Sequence, residues 1–216
     1  MEKNRDFFAV FGRSGSGKTH LIVNTVIPGL QKKQKPIVIF DLMQEYPEQL
    51  RKAKIKNVNV FSSFSDFREK ILKSKKISGV NVIAWKSDQD IVHGIKAFFY
   101  LKIPVCLIFE EIHTLYNSEL QRRIDVELKG LTFYGRHYNI DICMIAQRPK
   151  SLNTNTRSQL DFAISFHQHL EADIQALSTI DKKSAEKVMD LQESREFVIL
   201  NEGPSWLEPE LKYLKK

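Results

Sequence analysis

The chain has 216 residues, of which 42% are hydrophobic and 27% are charged, an ordinary composition for a soluble globular protein of one domain. No run approaches the roughly 18 uninterrupted apolar residues of a membrane span, and the first residues carry no signal-peptide pattern, so neither feature is expected. The formal charge of +7 favours a polyanionic partner over a neutral one.

Short apolar runs alternate along the chain with longer amphipathic stretches. The runs are rich in valine, isoleucine and phenylalanine, as in strands covered on both faces, and they predict strands at 7–11, 36–40, 58–61, 80–85, 105–109, 141–146, 162–166 and 197–200. The amphipathic stretches predict helices at 18–33, 64–74, 88–101, 118–136 and 170–191. This alternation predicts a three-layer α/β domain with a largely parallel sheet. No repeat or linker divides residues 1–216.

The segment Gly12–Thr19 matches the phosphate-loop pattern G-x-x-x-x-G-K-[ST], between a predicted strand and a predicted helix. Glycines let backbone N–H groups curl around phosphates, and the following helix adds its positive end. Lys18 is expected to reach the β- and γ-phosphates of ATP, and the Thr19 hydroxyl to bind Mg²⁺. The predicted nucleotide-binding residues are Gly12, Arg13, Ser14, Gly15, Ser16, Gly17, Lys18 and Thr19.

Two adjacent carboxylates, Glu110 and Glu111, follow the strand predicted at 105–109. This is the Walker B position, where one acid holds the Mg²⁺ shell and the next accepts a proton from the attacking water. We assign the metal role to Glu110 and the general-base role to Glu111, although the first acid is usually aspartate. The alternative is a solvated helix start, since acidic side chains favour a first helical turn.

Two further segments carry a family resemblance. Residues 41–46 read DLMQEY, similar to a D-x-x-G-E-Y segment with Gln44 in place of glycine. Residues 135–140 read GRHYNI and lead into a predicted strand that ends in AQRP at 146–149. Together with the phosphate loop, they resemble the FtsK/HerA superfamily of ring-forming DNA translocases over about residues 5–170. Residues 170–216 are less informative.

The resemblance implies roles for two polar residues. Gln147 would touch the γ-phosphate or the lytic water, and Arg136 would act as an arginine finger for the neighbouring subunit. Each has a local alternative, since Gln147 could cap its strand and Arg136 could be a helix-end cation. Arg148 fits a phosphate sensor, a DNA contact or a surface ion pair. Asp41 fits either a nucleotide contact or the orientation of local loops.

The chain most resembles the genome-packaging ATPases of tailless icosahedral viruses with internal membranes. This implies ATP-driven translocation of double-stranded DNA, with ATP and Mg²⁺ as cofactors. It also implies a homo-oligomeric ring, commonly a hexamer, that works in the host cytoplasm or on the virion with capsid or vertex proteins. The two cysteines lie inside apolar runs, which favours a reducing setting.

Three other functions remain open. One is a filamentous-phage assembly ATPase of the Zot type, which shares the arginine, aspartate and glutamine pattern. Another is a small-molecule P-loop kinase, although no convincing lid pattern is present. The third is a nucleotide-gated binding module that does not hydrolyse ATP, which the pair Glu110 and Glu111 disfavours.

Overall fold

Strands and helices alternate in the computed structural model, which describes residues 5–84, 88–111, 129–192 and 195–207. In these ranges the strands are β1 (Phe7–Phe11), β2 (Ile37–Asp41), β3 (Val58–Phe61), β4 (Val80–Ala84), β5 (Val105–Phe109), β6 (Ile140–Ala146), β7 (Phe162–Phe166) and β8 (Phe197–Leu200). The helices are α1 (Lys18–Leu21), α2 (Ile27–Lys32), α3 (Tyr46–Lys52), α4 (Phe64–Ser74), α5 (Asp88–Leu101), α6 (129–134), α7 (Thr154–Arg157), α8 (Glu171–Ser178) and α9 (Lys182–Lys187).

The strands form one sheet in the order β3-β4-β2-β5-β6-β1-β7-β8. All neighbours are parallel except β8, which runs antiparallel to β7. The strand β6 lies between β1 and β5, with Ala146 beside Phe11 and Met144 beside Phe109. The carboxyl ends of these three strands therefore meet at one edge of the sheet, where parallel α/β sheets bind ligands. The predicted α/β fold with a largely parallel sheet is confirmed.

Two apolar clusters cover the two faces of the sheet. Successive side chains of a strand point to opposite faces, so Phe7 and Phe11 join one cluster and Phe8 and Val10 join the other. Every residue of β1, β2, β5, β6 and β7 is buried. Burial on both faces explains why these strands are almost continuously apolar in the sequence. Such a core holds the strand ends in fixed positions.

Most element positions match the sequence-based predictions. Strand bounds agree within a residue, apart from the last residue predicted at 80–85, which lies outside the described ranges. The helix predicted at 18–33 is observed over 18–32 with a π-helical turn inside it. Of the helix predicted at 118–136, residues 118–128 lie outside the described ranges and 129–134 are helical.

Three helical regions differ from the predictions. The helix predicted at 170–191 is two helices, α8 and α9, because the Asp181 side chain accepts hydrogen bonds from the backbone N–H groups of Lys183 and Ser184 and starts a new helix. The helices α3 and α7 were not predicted. Within the described ranges, no helix is both long and apolar enough to cross a membrane.

Candidate active site

The phosphate loop is wound tightly between β1 and α1. The Gly12 N–H donates to the carbonyl oxygen of Ala146 at 3.2 Å, which ties the start of the loop to β6. A Cβ at Gly12 would lie 2.4 Å from the Ser16 Oγ and 3.0 Å from the Phe166 Cβ, so no side chain fits there. Gly17 has a φ of 106°, which glycine adopts without strain. Both glycines are thus required by the backbone path.

The Lys18 ammonium lies inside the curl of this loop. Its Nζ donates to the carbonyl oxygens of Gly12 at 2.7 Å and Arg13 at 3.1 Å. Burial lowers the pKa of Lys18, while the nearby carboxylates of Glu111 and Glu110 oppose that shift. The loop therefore holds its only lysine where a bound phosphate could replace the two carbonyl partners.

The Glu110 carboxyl is buried at the end of β5 with few compensating contacts. Its backbone N–H continues the ladder by donating to the Phe40 carbonyl oxygen at 3.1 Å. Among the described residues, its Oε2 has no hydrogen-bond partner. Burial raises the pKa of Glu110 to about 7; the adjacent Tyr46 hydroxyl opposes this shift, and the carboxylates of Glu111 and Asp41 add to it. An added cation would stabilise the ionised form of this carboxyl.

In the metal-free protein, the free energy of unfolding should fall as pH rises, and Glu110→Gln should abolish this fall. The pKa of Glu110 rises from 4.5 to about 7 on folding. Between these two pKa values the carboxyl is mostly deprotonated in the unfolded chain and mostly protonated in the folded chain. The free energy of unfolding therefore falls as pH rises through this range. At about 1.36 kcal/mol per unit of pKa difference, wild type should lose about 2–3 kcal/mol relative to Glu110→Gln between about pH 5 and pH 8. Urea unfolding measures this, with exposed Glu186→Gln as control. Parallel curves for wild type and Glu110→Gln would contradict it.

Glu111 adopts a constrained backbone conformation next to Gln147. Its φ is 48°, a region uncommon for residues other than glycine and often found at functional sites. The Gln147 Nε2 donates to the Glu111 Oε1 over a long 3.4 Å. The Gln147 backbone is held in turn by buried Gln168, whose Nε2 donates to the Gln147 carbonyl oxygen at 3.3 Å. The structure thus brings together the predicted base, Glu111, and Gln147, which is predicted to touch the γ-phosphate or the lytic water.

Most predicted site residues line one cleft of about 430 Å³. The cleft also contains three side chains for which no role was predicted, and its lining residues are Ser14, Gly15, Gly17, Lys18, Thr19, His20, Met43, Glu45, Glu110, Glu111 and Gln147. Of the other predicted loop residues, Arg13 and Ser16 line the neighbouring cavity and Gly12 forms the buried base of the loop. The phosphate loop, the acid pair and Gln147 therefore face one another.

The oxygen atoms at this cleft fit Mg²⁺. Thr19 contributes a hydroxyl and Glu110 contributes a buried carboxylate oxygen without a hydrogen-bond partner among the described residues. In the described ranges, no group of three or more His, Cys, Asp or Glu side chains could hold a metal ion by itself. Such a sparse protein shell suits Mg²⁺, which keeps several waters and takes ligands from substrate phosphates.

A second cavity of about 610 Å³ lies on the β7 side of the phosphate loop. Its lining includes Arg13 and the residues that follow β7, namely His167, Gln168, His169 and Leu170. Arg195, two residues before β8, also lines it, and the Arg195 Cγ would be 3.2 Å from a Cβ at Gly17. This cavity can receive the part of a nucleotide that extends away from the acid pair.

The second cavity was not predicted from the sequence. A signal was present for the residues after β7, because polar residues that follow a parallel strand lie at the ligand edge of the sheet. No such signal marks Arg195, because it precedes β8, and only the antiparallel pairing of β8 with β7 brings that residue to the same edge.

Two residues with several possible roles make local contacts. Arg148 donates through Nε to the buried Asp173 carboxylate at 3.0 Å, so it forms an ion pair beside the second cavity. Asp41 accepts hydrogen bonds from the backbone N–H groups of Glu45 at 3.3 Å and Tyr46 at 3.0 Å. Asp41 therefore orients the loop that begins α3, and it is not among the residues that line the cleft shared by Lys18 and Glu110.

Arg136 is exposed and lies far from this cleft. It belongs to a 3-10 turn, Gly135–Tyr138, that leads into the amino end of β6. The first residue of β6, Ile140, pairs with Val105 at the start of β5. The length of β6, about 20 Å at about 3.3 Å per residue, separates this turn from the phosphate loop. The structure does not bring Arg136 to the site of its own chain.

An ion-pair network fixes this turn to the sheet. Lys35 donates to the Asn139 Oδ1 at 2.6 Å and to the Asp141 Oδ2 at 2.8 Å. Lys33 donates to the same Asp141 oxygen at 2.9 Å and to the Asp6 Oδ2 at 2.7 Å. Since Asp141 is fully buried, its charge requires these partners. The network holds the end of the Arg136 turn rigidly.

Solved structures share this fold over nearly their whole length. The genome packaging NTPase B204 of Sulfolobus turreted icosahedral virus 2, in complex with AMP, has a TM-score of 0.68 and 22% identity, covering 96% of this chain and 95% of that chain. VirB4 of Thermoanaerobacter pseudethanolicus has a TM-score of 0.60 and 9% identity, covering 94% and 90%. At such low sequence identities, these structural similarities show the fold alone.

Sequence comparisons identify the family. A probable helicase of Methanocaldococcus jannaschii is 27% identical over 150 residues, which are 66% of this chain and 26% of that protein. A second probable helicase of that organism is 34% identical over 56 residues and is matched over 11% of its length. The chain thus spans about a quarter or less of these relatives. The family described as the central domain of helicase HerA matches residues 5–196, which confirms the predicted resemblance. The chain therefore belongs to the HerA central-domain family and is a nucleotide-binding P-loop ATPase.

Proposed function

We propose that this ATPase drives the translocation of double-stranded DNA as a viral genome-packaging motor. The observation that carries the proposal is the shared fold with a genome packaging NTPase over 96% of this chain and 95% of that one. Two relatives named as probable helicases and the net charge of +7 support a nucleic-acid partner. Contacts from lysine and arginine to the phosphate backbone do not depend on base sequence.

In this proposal, each residue of the cleft has its own role in ATP hydrolysis. Lys18 exchanges its two carbonyl partners for oxygens of the β- and γ-phosphates and stabilises their charge. Glu111 accepts a proton from the attacking water as general base. Gln147 orients the Glu111 carboxylate through their hydrogen bond. Mg²⁺, held by Thr19 and Glu110, would neutralise charge on the phosphates.

The nucleoside lies in the second cavity in this proposal. The phosphate loop separates the two cavities, and the acid pair lines only the first of them. Since the γ-phosphate must lie near the acid pair, the base and ribose extend towards the cavity that Arg195 and the residues after β7 line. Arg195 can then contact the nucleotide from the side opposite the acid pair.

Arg136 completes the site of a neighbouring copy in a homo-oligomeric ring, which we propose to be a hexamer. It lies at the sheet edge opposite its own phosphate loop, so its guanidinium can serve only another subunit's γ-phosphate. The ring would act at a capsid vertex, with capsid or vertex proteins as further partners, in the cytoplasm of the host or on the virion.

Double-stranded DNA should stimulate ATP turnover and bind with a steep dependence on salt. If about 6–10 phosphates are contacted, affinity should fall by about 10³–10⁵-fold between about 50 and 200 mM salt, with little dependence on base sequence. Fluorescence anisotropy with two duplexes of unrelated sequence measures the affinity, and the ATPase rate with and without DNA measures the coupling. Equal affinity at both salt concentrations would contradict a motor that tracks the DNA backbone.

The same assays distinguish the alternatives. A small-molecule kinase would need a phosphate acceptor and would ignore DNA. A binding module would bind ATP without turnover. A phage assembly ATPase of the Zot type would hydrolyse ATP without stimulation by double-stranded DNA.

A further inference from the structure

The loops that precede β2, β3 and β4 meet at Gly79, at the amino-terminal edge of the sheet. The Ile37 N–H, at the start of β2, donates to the Gly79 carbonyl oxygen at 2.9 Å. The Val80 N–H, at the start of β4, donates to the Asn57 carbonyl oxygen at 3.0 Å. A Cβ at Gly79 would lie 2.3 Å from the same Asn57 oxygen, so the loops before β3 and β4 are in direct contact. These two loops therefore form one continuous surface.

Four exposed lysines belong to these two touching loops and are called here the lysine patch: Lys54, Lys56, Lys75 and Lys76. Within the described ranges, no carboxylate forms an ion pair with any of the four. Lysines slightly earlier in the chain do have such partners, since Lys52 pairs with Glu48 at 2.7 Å and Lys73 pairs with Glu69 at 2.5 Å. The lysine patch is therefore a concentration of positive charge that the described part of the chain does not neutralise by direct contact.

The ends of α3 and α4 do not by themselves account for the lysine patch. A helix favours a cation within its last turn, but Lys56 lies four residues beyond α3 and Lys76 lies two residues beyond α4. Residues 49–65 and 70–87 contain no aspartate or glutamate, so no acid nearby in the sequence offsets these charges. Surface charges of one sign repel one another and attract a polyanion from solution.

The chemistry of this surface matches a phosphate backbone. Exposed side chains of Asn57, Ser74 and Ser78 lie in or beside the same loops. Lysine, serine and asparagine are among the side chains that hydrogen-bond to DNA phosphates without reading the base sequence. A DNA duplex carries one negative charge per about 1.7 Å of its axis, which is dense enough to pair with several cations gathered in two touching loops.

We infer that the lysine patch binds the phosphate backbone of double-stranded DNA. The inference rests on the proposed function, to which it adds the surface that holds the substrate. The patch lies at the amino-terminal edge of the sheet and the nucleotide cleft lies at the carboxyl edge. The five residues of β2, about 17 Å at about 3.3 Å per residue, separate the two edges. Substitutions in the patch should therefore leave ATP binding and DNA-independent hydrolysis intact.

Neutralising the lysine patch tests this inference. The triple variant Lys54→Gln, Lys56→Gln and Lys76→Gln should lower the slope of log affinity against log salt by about 2.7 or more, because each phosphate contact contributes about 0.9. At about 0.1 M salt, its affinity for a duplex should fall by about 10²-fold or more. Fluorescence anisotropy measures both effects, and an unchanged ATPase rate without DNA shows that the variant is folded.

A matched triple variant controls for the loss of net charge. Lys182→Gln, Lys183→Gln and Lys187→Gln remove the same three charges from exposed positions of α9 and should leave the affinity and the salt slope nearly unchanged. Wild-type affinity in the patch variant would overturn the inference. An equal loss of affinity in both triple variants would show an effect of net charge alone and would overturn it too.

Lysine footprinting locates the contact directly. Acetylation by a succinimidyl ester, read by mass spectrometry, should lose most of its yield at the four patch lysines when a duplex is bound and should stay unchanged at the lysines of α9. Protection of other lysines and not of the patch would overturn the inference. Equal protection by poly-glutamate of the same charge would show a site for acidic proteins as much as for DNA and would also overturn it.

The outcomes separate this inference from the proposed function. Binding of DNA through the lysine patch without stimulation of ATPase activity would support the inference and reject the DNA motor. Stimulation by DNA that persists at wild-type level in the patch variant would support the motor and reject the patch as its DNA contact.

Discussion

Replacing Arg136 with alanine is expected to lower ATP turnover by about 10³–10⁵-fold and to leave ATP binding to the same chain nearly unchanged. An arginine finger stabilises charge that develops in the transition state, which is the origin of this magnitude. The structure motivates a trans role, because the length of β6 separates Arg136 from its own phosphate loop. Steady-state ATPase rates and equilibrium binding of a fluorescent ATP analogue measure the two effects.

Mixing two inactive variants tests whether Arg136 acts in trans. Arg136→Ala subunits keep a complete phosphate loop, and Lys18→Ala subunits keep the arginine. Mixed assemblies should therefore regain activity where an intact Arg136 faces an intact Lys18. Absence of recovery in demonstrated mixed assemblies would reject the trans role and leave Arg136 as a surface cation. Arg68→Ala, an exposed arginine of α4, is the control and should retain wild-type turnover.

Replacing Glu111 with glutamine is expected to reduce turnover by about 10²–10⁴-fold while ATP still binds. The amide keeps the shape of the side chain but cannot accept a proton from water, and general-base catalysis contributes about this factor. Glutamine at position 111 can still accept a hydrogen bond from Gln147, the observed partner of Glu111. Single-turnover hydrolysis, which separates chemistry from product release, is the appropriate measurement.

Glu110→Gln separates the roles of the two acids. If Glu110 holds Mg²⁺, its substitution should raise the Mg²⁺ concentration needed for half-maximal activity, whereas Glu111→Gln should leave that concentration nearly unchanged. The reverse pattern would exchange the two assignments. Glu186→Gln, an exposed carboxyl of α9, controls for the loss of one negative charge.

The structural role of Asp41 could not be decided from its position in the chain. As an acid after a buried strand, it fits a nucleotide contact as well as a structural role. Its hydrogen bonds to the backbone N–H groups of Glu45 and Tyr46 require a turn that includes Gln44 with a φ of 56°. Residues other than glycine adopt this conformation rarely, so the turn and the helix α3 were not expected.

The contacts of Lys33 and Lys35 could likewise not be predicted from the sequence. Lys33 is the last residue of the helix predicted at 18–33 and Lys35 follows it, positions where lysine is commonly solvated and favoured by the helix dipole. In the structure both contact the buried Asp141, a residue more than a hundred positions away. Burial of Asp141 requires such partners, but nothing local in the sequence specifies which lysines provide them.

The sequence by itself determined the α/β fold, the phosphate loop and the acid pair, because each depends on local patterns. Apolar runs mark strands buried on both faces, and the glycine spacing of residues 12–19 permits one backbone path. Tertiary structure alone decided the placement of Arg195 beside the second cavity and the contacts of Lys33 and Lys35 with Asp141. These contacts depend on strand order and on pairing between segments that are distant in the sequence. They form only when the chain folds, which is driven by the burial of its apolar surface.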